Sequence, residues 1–436
     1  MARVNVGSTA FAGQTHEGAP ARALTPEQEL RRTVLACLLW ESGFYESGKT
    51  VADRIAALVP KVAPDRVAAL AVEARSLMHL RHTPLFLVRE MVRHASHRPF
   101  VRSTLAAVIQ RADELAEYLA LYWKDGKVPL AKSVQRGLAD AFVKFSAYQL
   151  AKYNRDNPVK LRDVLFLSHA EPKDSEQAAT WKQLVDGTLP APDTWEVELS
   201  AGKDKLETWT RLLAENKLGA MALMRNLRNM VEANVDDGSI RTALREMKAD
   251  RVLPFRFIAA ARIMPRFVSE LEAGMLRNLE AQASMDGMTL VLVDVSGSMD
   301  EKLSAKLDMT RMDAAAGLAV FAREICASCR VLTFSNRLVE VPAYRGLALA
   351  DAIVKSQEHG STRLGDAVTR CNQETFDRII VITDEQSHDR VGGPNGCGYM
   401  INVATNKPGV GYGPWRHIDG FSERVLDYIR AVEVDG

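Results

Sequence analysis

From residue 27 to residue 283 the apolar residues recur at three- and four-residue spacing, with almost no strict apolar–polar alternation. That period gathers the apolar side chains into one stripe of a helix, which then has to face a core. The spacing predicts helices over Leu30–Trp40, Val51–Leu58, Pro64–Leu77, Leu85–Ala95, Val101–Leu121, Leu130–Tyr153, Leu161–Ser168, Ala178–Val185, Lys203–Asn216, Leu218–Val231, Ile240–Lys248 and Pro254–Arg262. Short Pro, Gly and Asp breaks separate them. Many short helices in series without strands suggest helix pairs stacked in a HEAT-like array, inferred from helix lengths because no crisp repeat motif is visible. From residue 288 the pattern changes. Strand-like runs at 288–294, 330–334, 337–341, 378–384 and 398–403 alternate with helix-like stretches at 308–328, 346–356, 364–376 and 421–432. Such alternation predicts a doubly wound α/β domain. Three segments follow: a flexible arm at 1–24, a helical repeat domain at 25–285 and an α/β domain at 286–436.

The first apolar strand, Thr289-Leu-Val-Leu-Val-Asp294, stops in Asp294-x-Ser296-x-Ser298. One carboxylate and two hydroxyls at the carboxyl end of a strand lie where open α/β sheets bind ligands. They are also oxygens of the kind a hard divalent cation accepts, Mg²⁺ above all, since it keeps some of its own waters. Gly360-Ser361-Thr362 offers a hydroxyl from a loop, and Arg378-Ile-Ile-Val-Ile-Thr-Asp384 ends in a second carboxylate. The candidate ligands are therefore Asp294, Ser296, Ser298, Thr362 and Asp384. The order of the three pieces resembles the metal-ion-dependent adhesion site of von Willebrand factor A domains. The bland alternative is that Asp294 and Asp384 cap helices.

Charge is unevenly spread. Residues 286–436 hold 16 Lys/Arg against 21 Asp/Glu, which leaves 40 against 34 of the chain's 56 and 55 for the remainder. Polyanion contacts are therefore expected in the helical part. Within it, 127–173 concentrates Lys132, Arg136, Lys144, Lys152, Arg155, Lys160, Arg162 and His169 against four acids, with Tyr148 and Tyr153 interleaved. Lys132 and Arg136 share one helix face. Such a stretch can track a phosphate backbone and stack unpaired bases, and it can equally be a solvated face. Two further segments carry the same ambiguity: Met221–Met230, with Arg225, Asn226, Arg228 and Asn229, and the cationic run from Arg81 to Arg98. Five cysteines, an odd count, argue against a disulfide framework. Cys326 and Cys329 fall on a predicted helix, where a buried thiol pair is expected and zinc would need two more ligands. No secretion signal or membrane span is visible, and a cytoplasmic monomer is expected.

Lys152-Tyr-Asn-Arg-Asp-Asn-Pro-Val-Lys-Leu-Arg-Asp-Val-Leu-Phe-Leu-Ser-His169 is similar to the "KY-x-x-R…DLLRLSH" stretch of the Ro autoantigen family and its bacterial orthologues. Leu223–Met230 resembles its "LLRNLGKM" segment, Leu253–Ile258 its "HPFHILIA" segment, and an A domain opening in "VDVSGSM" follows. The resemblance spans roughly 25–436. It implies a TROVE module, a ring of HEAT-like helical repeats, beside a von Willebrand factor A domain. It further implies binding of small noncoding Y-like RNAs on the outer surface and of single-stranded ends of misfolded RNAs in a positively lined hole, with exoribonucleases as partners of some bacterial members. On this reading the eight basic residues named above become RNA contacts. The departures are Gly360-Ser-Thr362 in place of Gly-Gly-Thr, Asp384-Glu-Gln in place of Asp-Asn-Glu, a shorter chain and an unmatched segment 1–24.

The expected function is a non-catalytic RNA scaffold. Val295-Ser296-Gly297 lacks the first glycine of a nucleophile elbow. Ser296 stands where a phosphatase of the haloacid-dehalogenase type needs a second Asp. The rival reading is a protein-binding adaptor, in which a partner's acidic residue completes the metal coordination and the helical array is a peptide scaffold. A metal-dependent nuclease comes third, for want of an evident base.

Overall fold

The computed structural model describes residues 11–35, 48–249, 252, 254–280, 284–304, 307–420 and the positions 425, 426, 429, 430 and 433. Two compact units are present: residues 52–203, and residues up to 51 together with 204–436.

The 52–203 unit is helical throughout its described elements. Helices Pro64–Ser76, His82–Arg93, Arg98–Val108, Asp113–Tyr122, Lys132–Phe142, Ala147–Tyr153, Leu161–Ser168 and Ser175–Asp186 each pack on neighbours one or two places along the chain. This is the local, stacked pattern that short amphipathic helices adopt when none can cover its stripe alone. Val101, Leu105, Leu115, Leu119, Val134, Leu138 and Phe142 are fully buried along the seam. Boundaries follow capping chemistry. Ser146 and Gln149 form a reciprocal capping box, the Asp174 side chain accepts from Gln177 N, and Gly187 closes that helix in the left-handed region at φ +72°.

The second unit contains a six-stranded sheet. Its strands are β3 (Met285–Asp294), β6 (Cys326–Phe334), β7 (Leu338–Glu340), β8 (Arg378–Thr383), β9 (Cys397–Asn402) and β10 (Trp415–Asp419). A hairpin, β1 (Phe11–Gln14) and β2 (Pro20–Arg22), and a ribbon, β4 (Lys302–Ser304) and β5 (Leu307–Thr310), complete the numbering. The order across the sheet is β10-β9-β8-β3-β6-β7. All neighbours run parallel except the edge pair β6–β7. Central strands of such sheets are buried on both faces, and Leu290–Asp294 and Ile379–Thr383 are. Leu290, Leu292, Ile379 and Val381 pack with Leu364, Ala367 and Val368 of helix Leu364–Cys371. Helix Arg311–Ile325 lies against β3, β6 and β8, covering the alternate side chains. The unit also carries helices Pro26–Leu35, Lys205–Ala214, Ala220–Arg225, Leu227–Glu232, Asp237–Glu246, Pro254–Ile263 and Val268–Glu280.

The helical array and the α/β sheet are as expected from the sequence, with three differences. Residues 11–22 are not a flexible arm: Thr15 Oγ1 donates to Ser387 O at 2.7 Å, Ala19 N donates to the same oxygen, and Ala19 is buried in the sheet core. Cys326 and Cys329 begin strand β6 rather than ending a helix. The chain turns straight from helix to strand at Cys326, so the apolar period runs on without a break. Strand β10 was not anticipated. Most of the expected helix at 421–432 lies outside the described residues. Among the described residues no helix is long and apolar enough to cross a membrane.

Candidate functional site

Three loops meet at the carboxyl ends of β3 and β8. Asp294 closes β3 and is fully buried. One of its carboxylate oxygens accepts from Ser296 N at 2.9 Å and the other from Thr383 Oγ1 at 2.5 Å. The chain then forms a short helical turn, Gly297–Asp300, which brings Ser296 Oγ to 3.3 Å from Ser298 Oγ. Gly297 N donates to Gly360 O, tying this loop to the one carrying Thr362. Thr362 N donates to His388 Nδ1 at 3.0 Å, and Thr362 O accepts from His388 N and Ser387 Oγ. That ties the 360–362 loop to the loop after Asp384. Asp384 is fully buried as well, and its Oδ1 accepts from Gln386 N at 3.2 Å. The five residues singled out in the sequence therefore sit on three mutually bonded loops, each 7% exposed or less.

Burial, and then the neighbouring Asp384 carboxylate, push Asp294 up to about 7. Two buried carboxylates side by side repel when both are ionised, and a cation between them relieves that. The donor set is oxygen only. Two carboxylates and three hydroxyls suit a hard ion and not zinc. One protein cation is already at hand. Arg311 Nη1, buried at the start of its helix, lies 3.4 Å from both Asp384 Oδ2 and Ser298 O.

The residue after Asp384 departs from the expected pattern with a structural consequence. Glu385 takes a left-handed φ of +62°, which turns its side chain away from the three loops and into a closed network. It ion-pairs with Arg32 of helix Pro26–Leu35 and lies 2.6 Å from His417 Nε2. His417 Nδ1 is 3.3 Å from Asp419 Oδ1, and the ring stacks on Tyr412 at 4.3 Å. All five side chains are buried. Burial opposes each charge, yet Arg32 and His417 hold Glu385 down at about 2, and Glu385 with Asp419 raises His417 to about 9. Gly409 and Gly411 come so close that any Cβ there would strike Arg32, Glu385 or His417. Sequence reasoning missed this network, whose only local signals were an unusual Glu385 and the glycines of Gly409-Val-Gly-Tyr-Gly413.

The basic residues of 132–169 all fall in the helical unit and are not equivalent. Lys132 and Arg136 are exposed one turn apart on helix Lys132–Phe142. Gln135, between them, donates to Leu167 O at 3.2 Å, which brings that helix to the end of Leu161–Ser168, where Phe166 is 59% exposed. His169 caps the latter helix in the left-handed region and is exposed. Arg155, Lys160 and Arg162 line a cleft of about 230 Å³ together with Asn154 and Asp186. In it Lys160 is paired with Asp156 at 2.7 Å. Lys152 lies over the Tyr153 ring at 6.0 Å, and Arg111 lies at 4.7 Å, so Tyr153 is already engaged while Tyr148 is exposed. Lys144 is exposed, but its ammonium is already engaged. It donates to Ile109 O at 2.7 Å and to Ala106 O, capping the end of helix Arg98–Val108, where a cation meets unpaired carbonyls. A phosphate there would compete with those two bonds. Phe166 was overlooked because its place in an apolar run reads as core.

A family model described as TROVE domain matches residues 22–187 and 176–315. The chain belongs to the TROVE domain family. Over 91 residues it is 30% identical to Telomerase protein component 1 of Rattus norvegicus and, equally, of Mus musculus. That stretch is 20% of this chain and only 4% of either relative. Among solved structures, the crystal structure of the Deinococcus radiodurans RO (RSR) protein matches with a TM-score of 0.62 at 18% identity. The match covers 93% of this chain and 99% of that one. The TROVE protein thus shares the fold of that RO protein across nearly its whole described length.

Proposed function

We propose that this TROVE protein is a non-catalytic RNA-binding protein of Ro type. It binds small noncoding, Y-like RNAs and the single-stranded ends of structured or misfolded RNAs, and serves RNA stability or quality control. Family membership supports the RNA-binding, ribonucleoprotein role. The observation that carries the reading is the exposed cationic stretch of the helical unit. There Lys132, Arg136, Arg155, Arg162 and His169 face solvent, with Phe166 and Tyr148 exposed on the same run of chain. Arginine and lysine there neutralise phosphates, and the rings stack unpaired bases.

Asp294, Ser296, Ser298, Thr362 and Asp384 would hold a divalent cation, Mg²⁺ first. That ion would supply a coordination position for a partner's carboxylate, so the α/β unit would recruit a protein such as an exoribonuclease. The burial of two adjacent carboxylates supports this part of the reading. It also keeps alive an adaptor function in which protein binding is primary.

Titration of a tailed structured RNA at rising salt tests the reading. Four phosphate contacts give a slope of log K on log salt of about −3.6, an affinity loss of roughly 150-fold between 50 and 200 mM salt. A flat salt response in the folded protein would exclude a phosphate-tracking surface.

A further inference from the structure

The amino-terminal end of the six-stranded sheet, opposite the carboxylate site, holds a cluster of reactive groups that the reading above does not use. In an unbroken strand, residues three apart face opposite sides. In β6 that alternation breaks, since Ala327 and Ser328 are both exposed. The thiols of Cys326 and Cys329 meet there as hydrogen-bonding neighbours. Cys326 is buried and Cys329 half-buried, and both are free.

Across the sheet, Cys329 is in register with Thr289, and Thr289 with Arg378. The buried Thr289 hydroxyl accepts from Arg378 Nη1 at 2.8 Å and hydrogen-bonds Cys326 in turn. Cys326 therefore has two hydrogen-bonding neighbours and a guanidinium close by. Glu433, 2.6 Å from that guanidinium, offsets part of its charge. The bond from Cys329, foremost, brings the Cys326 thiol down to about 7 against burial, and the same bond raises Cys329. The pair is also reachable. Cys329 lines a cavity of about 260 Å³ with Arg323, Arg330, Glu340 and Tyr344, which is room for a small oxidant beside its sulfur. Thiolate character together with access makes a cysteine reactive, and a second thiol in contact converts the first oxidation product to a disulfide.

We propose that Cys326 and Cys329 form a reversible dithiol–disulfide site, oxidised by a hydroperoxide and restored by a dithiol reductant. The Cys326 thiolate takes the Cys329 proton as the Cys329 sulfur bonds to one oxygen of hydrogen peroxide. The O–O bond breaks and hydroxide leaves. The Cys326 sulfur then bonds to that of Cys329, the S–O bond breaks, and the departing oxygen takes the Cys326 proton and leaves as water. The proton released when Cys326 first ionised neutralises the hydroxide. One peroxide and two thiols thus give one disulfide and two waters. A dithiol reverses the change by exchange and becomes a disulfide itself.

The test treats the native full chain with equimolar hydrogen peroxide, blocks the remaining thiols by alkylation and maps tryptic peptides by mass spectrometry. Cys326 and Cys329 share one peptide, residues 324–330. That peptide is expected to become lighter by two hydrogens and resistant to alkylation, at least about threefold faster than the exposed Cys397 thiol is lost. Dithiothreitol is expected to restore it, and urea to abolish the preference. Cys326→Ser is expected to slow loss of the Cys329 thiol at least about threefold and to leave a sulfenic acid that dimedone traps. Cys329→Ser is expected to leave Cys326 reduced. The proposal is overturned if Cys397 oxidises first, if the disulfide joins other cysteines, or if the preference persists in urea, where spacing alone would explain it. It is also overturned if Cys329 oxidises at the wild-type rate without Cys326. Should a serine variant fail to fold, the wild-type peptide map in buffer and in urea decides alone.

Discussion

Arg32→Met should be among the most damaging single changes in the chain. Arg32 and Glu385 are 353 residues apart, and their side chains are 1% and 0% exposed. With His417 and Asp419 they form a buried set of two cations and two anions in near balance. Methionine fills most of the arginine's volume, so packing loss is small and the change is mainly electrostatic. It leaves His417 alone between two buried carboxylates. Removing one member of a buried pair costs about 3–5 kcal/mol, because the partner stays desolvated without compensation. Glu385→Gln should cost a similar amount from the other side. Since the two changes destroy the same interaction, the double variant should cost clearly less than the sum, with a coupling of at least about 2 kcal/mol. Urea unfolding followed by circular dichroism measures all four corners of the cycle. Single variants that each cost under about 1 kcal/mol, or costs that simply add, would refute the view that this network clamps helix Pro26–Leu35 to the sheet.

Four further outcomes follow from the same geometry. His417, raised from 6.5 to about 9 by Glu385 and Asp419 against the effect of burial, stabilises fully below pH 6.5. It loses that contribution as pH rises to 9, so the stability gap between wild type and His417→Gln should shrink by roughly 3 kcal/mol across that window; a constant gap would contradict the assignment. Deleting residues 1–22 removes the bonds from Thr15, His16 and Ala19 to Ser387 and Gln386, and should speed amide exchange in 384–388; unchanged exchange would mean the hairpin braces nothing. Arg311 lies 3.4 Å from Asp384 and would compete with a bound cation, so Arg311→Gln should tighten Mg²⁺ binding in calorimetry by at least about threefold, and weaker binding would show that Arg311 supports the site instead. Lys144→Met should lower stability by about 1 kcal/mol through the lost helix cap and leave RNA affinity nearly unchanged, whereas a large affinity loss would restore it to the RNA surface.

Much of this architecture is local and was legible for that reason. The three- and four-residue period sets each helix of 52–203, and the run Leu290–Val293 ending in Asp294 announces both a buried strand and the oxygens at its tip. What was missed depends on partners far along the chain. Strand β10, Trp-Arg-His-Ile-Asp, has too many polar residues to read as a buried strand. His417 and Asp419 are buried because Glu385 and Arg32 neutralise them. The hairpin at 11–22 has little apolar pattern of its own and is held by the Ser387 and Gly409 carbonyls and the Gln386 side chain. Lys144 cannot be told from Lys132 by composition, since only the fold brings the end of helix Arg98–Val108 to it. Glu385 looked like a neutral departure from a motif, and its left-handed backbone makes it a junction instead.

On the proposed reading, RNA binding resides in the cationic helical unit and is separate from the carboxylate site. The most direct test titrates a tailed structured RNA against wild type, Lys132→Glu/Arg136→Glu and Asp294→Ala, with Mg²⁺ or with EDTA. Expected is salt-sensitive binding that the double charge reversal weakens, with the salt slope falling by about 2, and that Asp294→Ala and EDTA leave nearly untouched. RNA affinity destroyed by Asp294→Ala or EDTA in a folded protein, or kept in full by Lys132→Glu/Arg136→Glu, would contradict it.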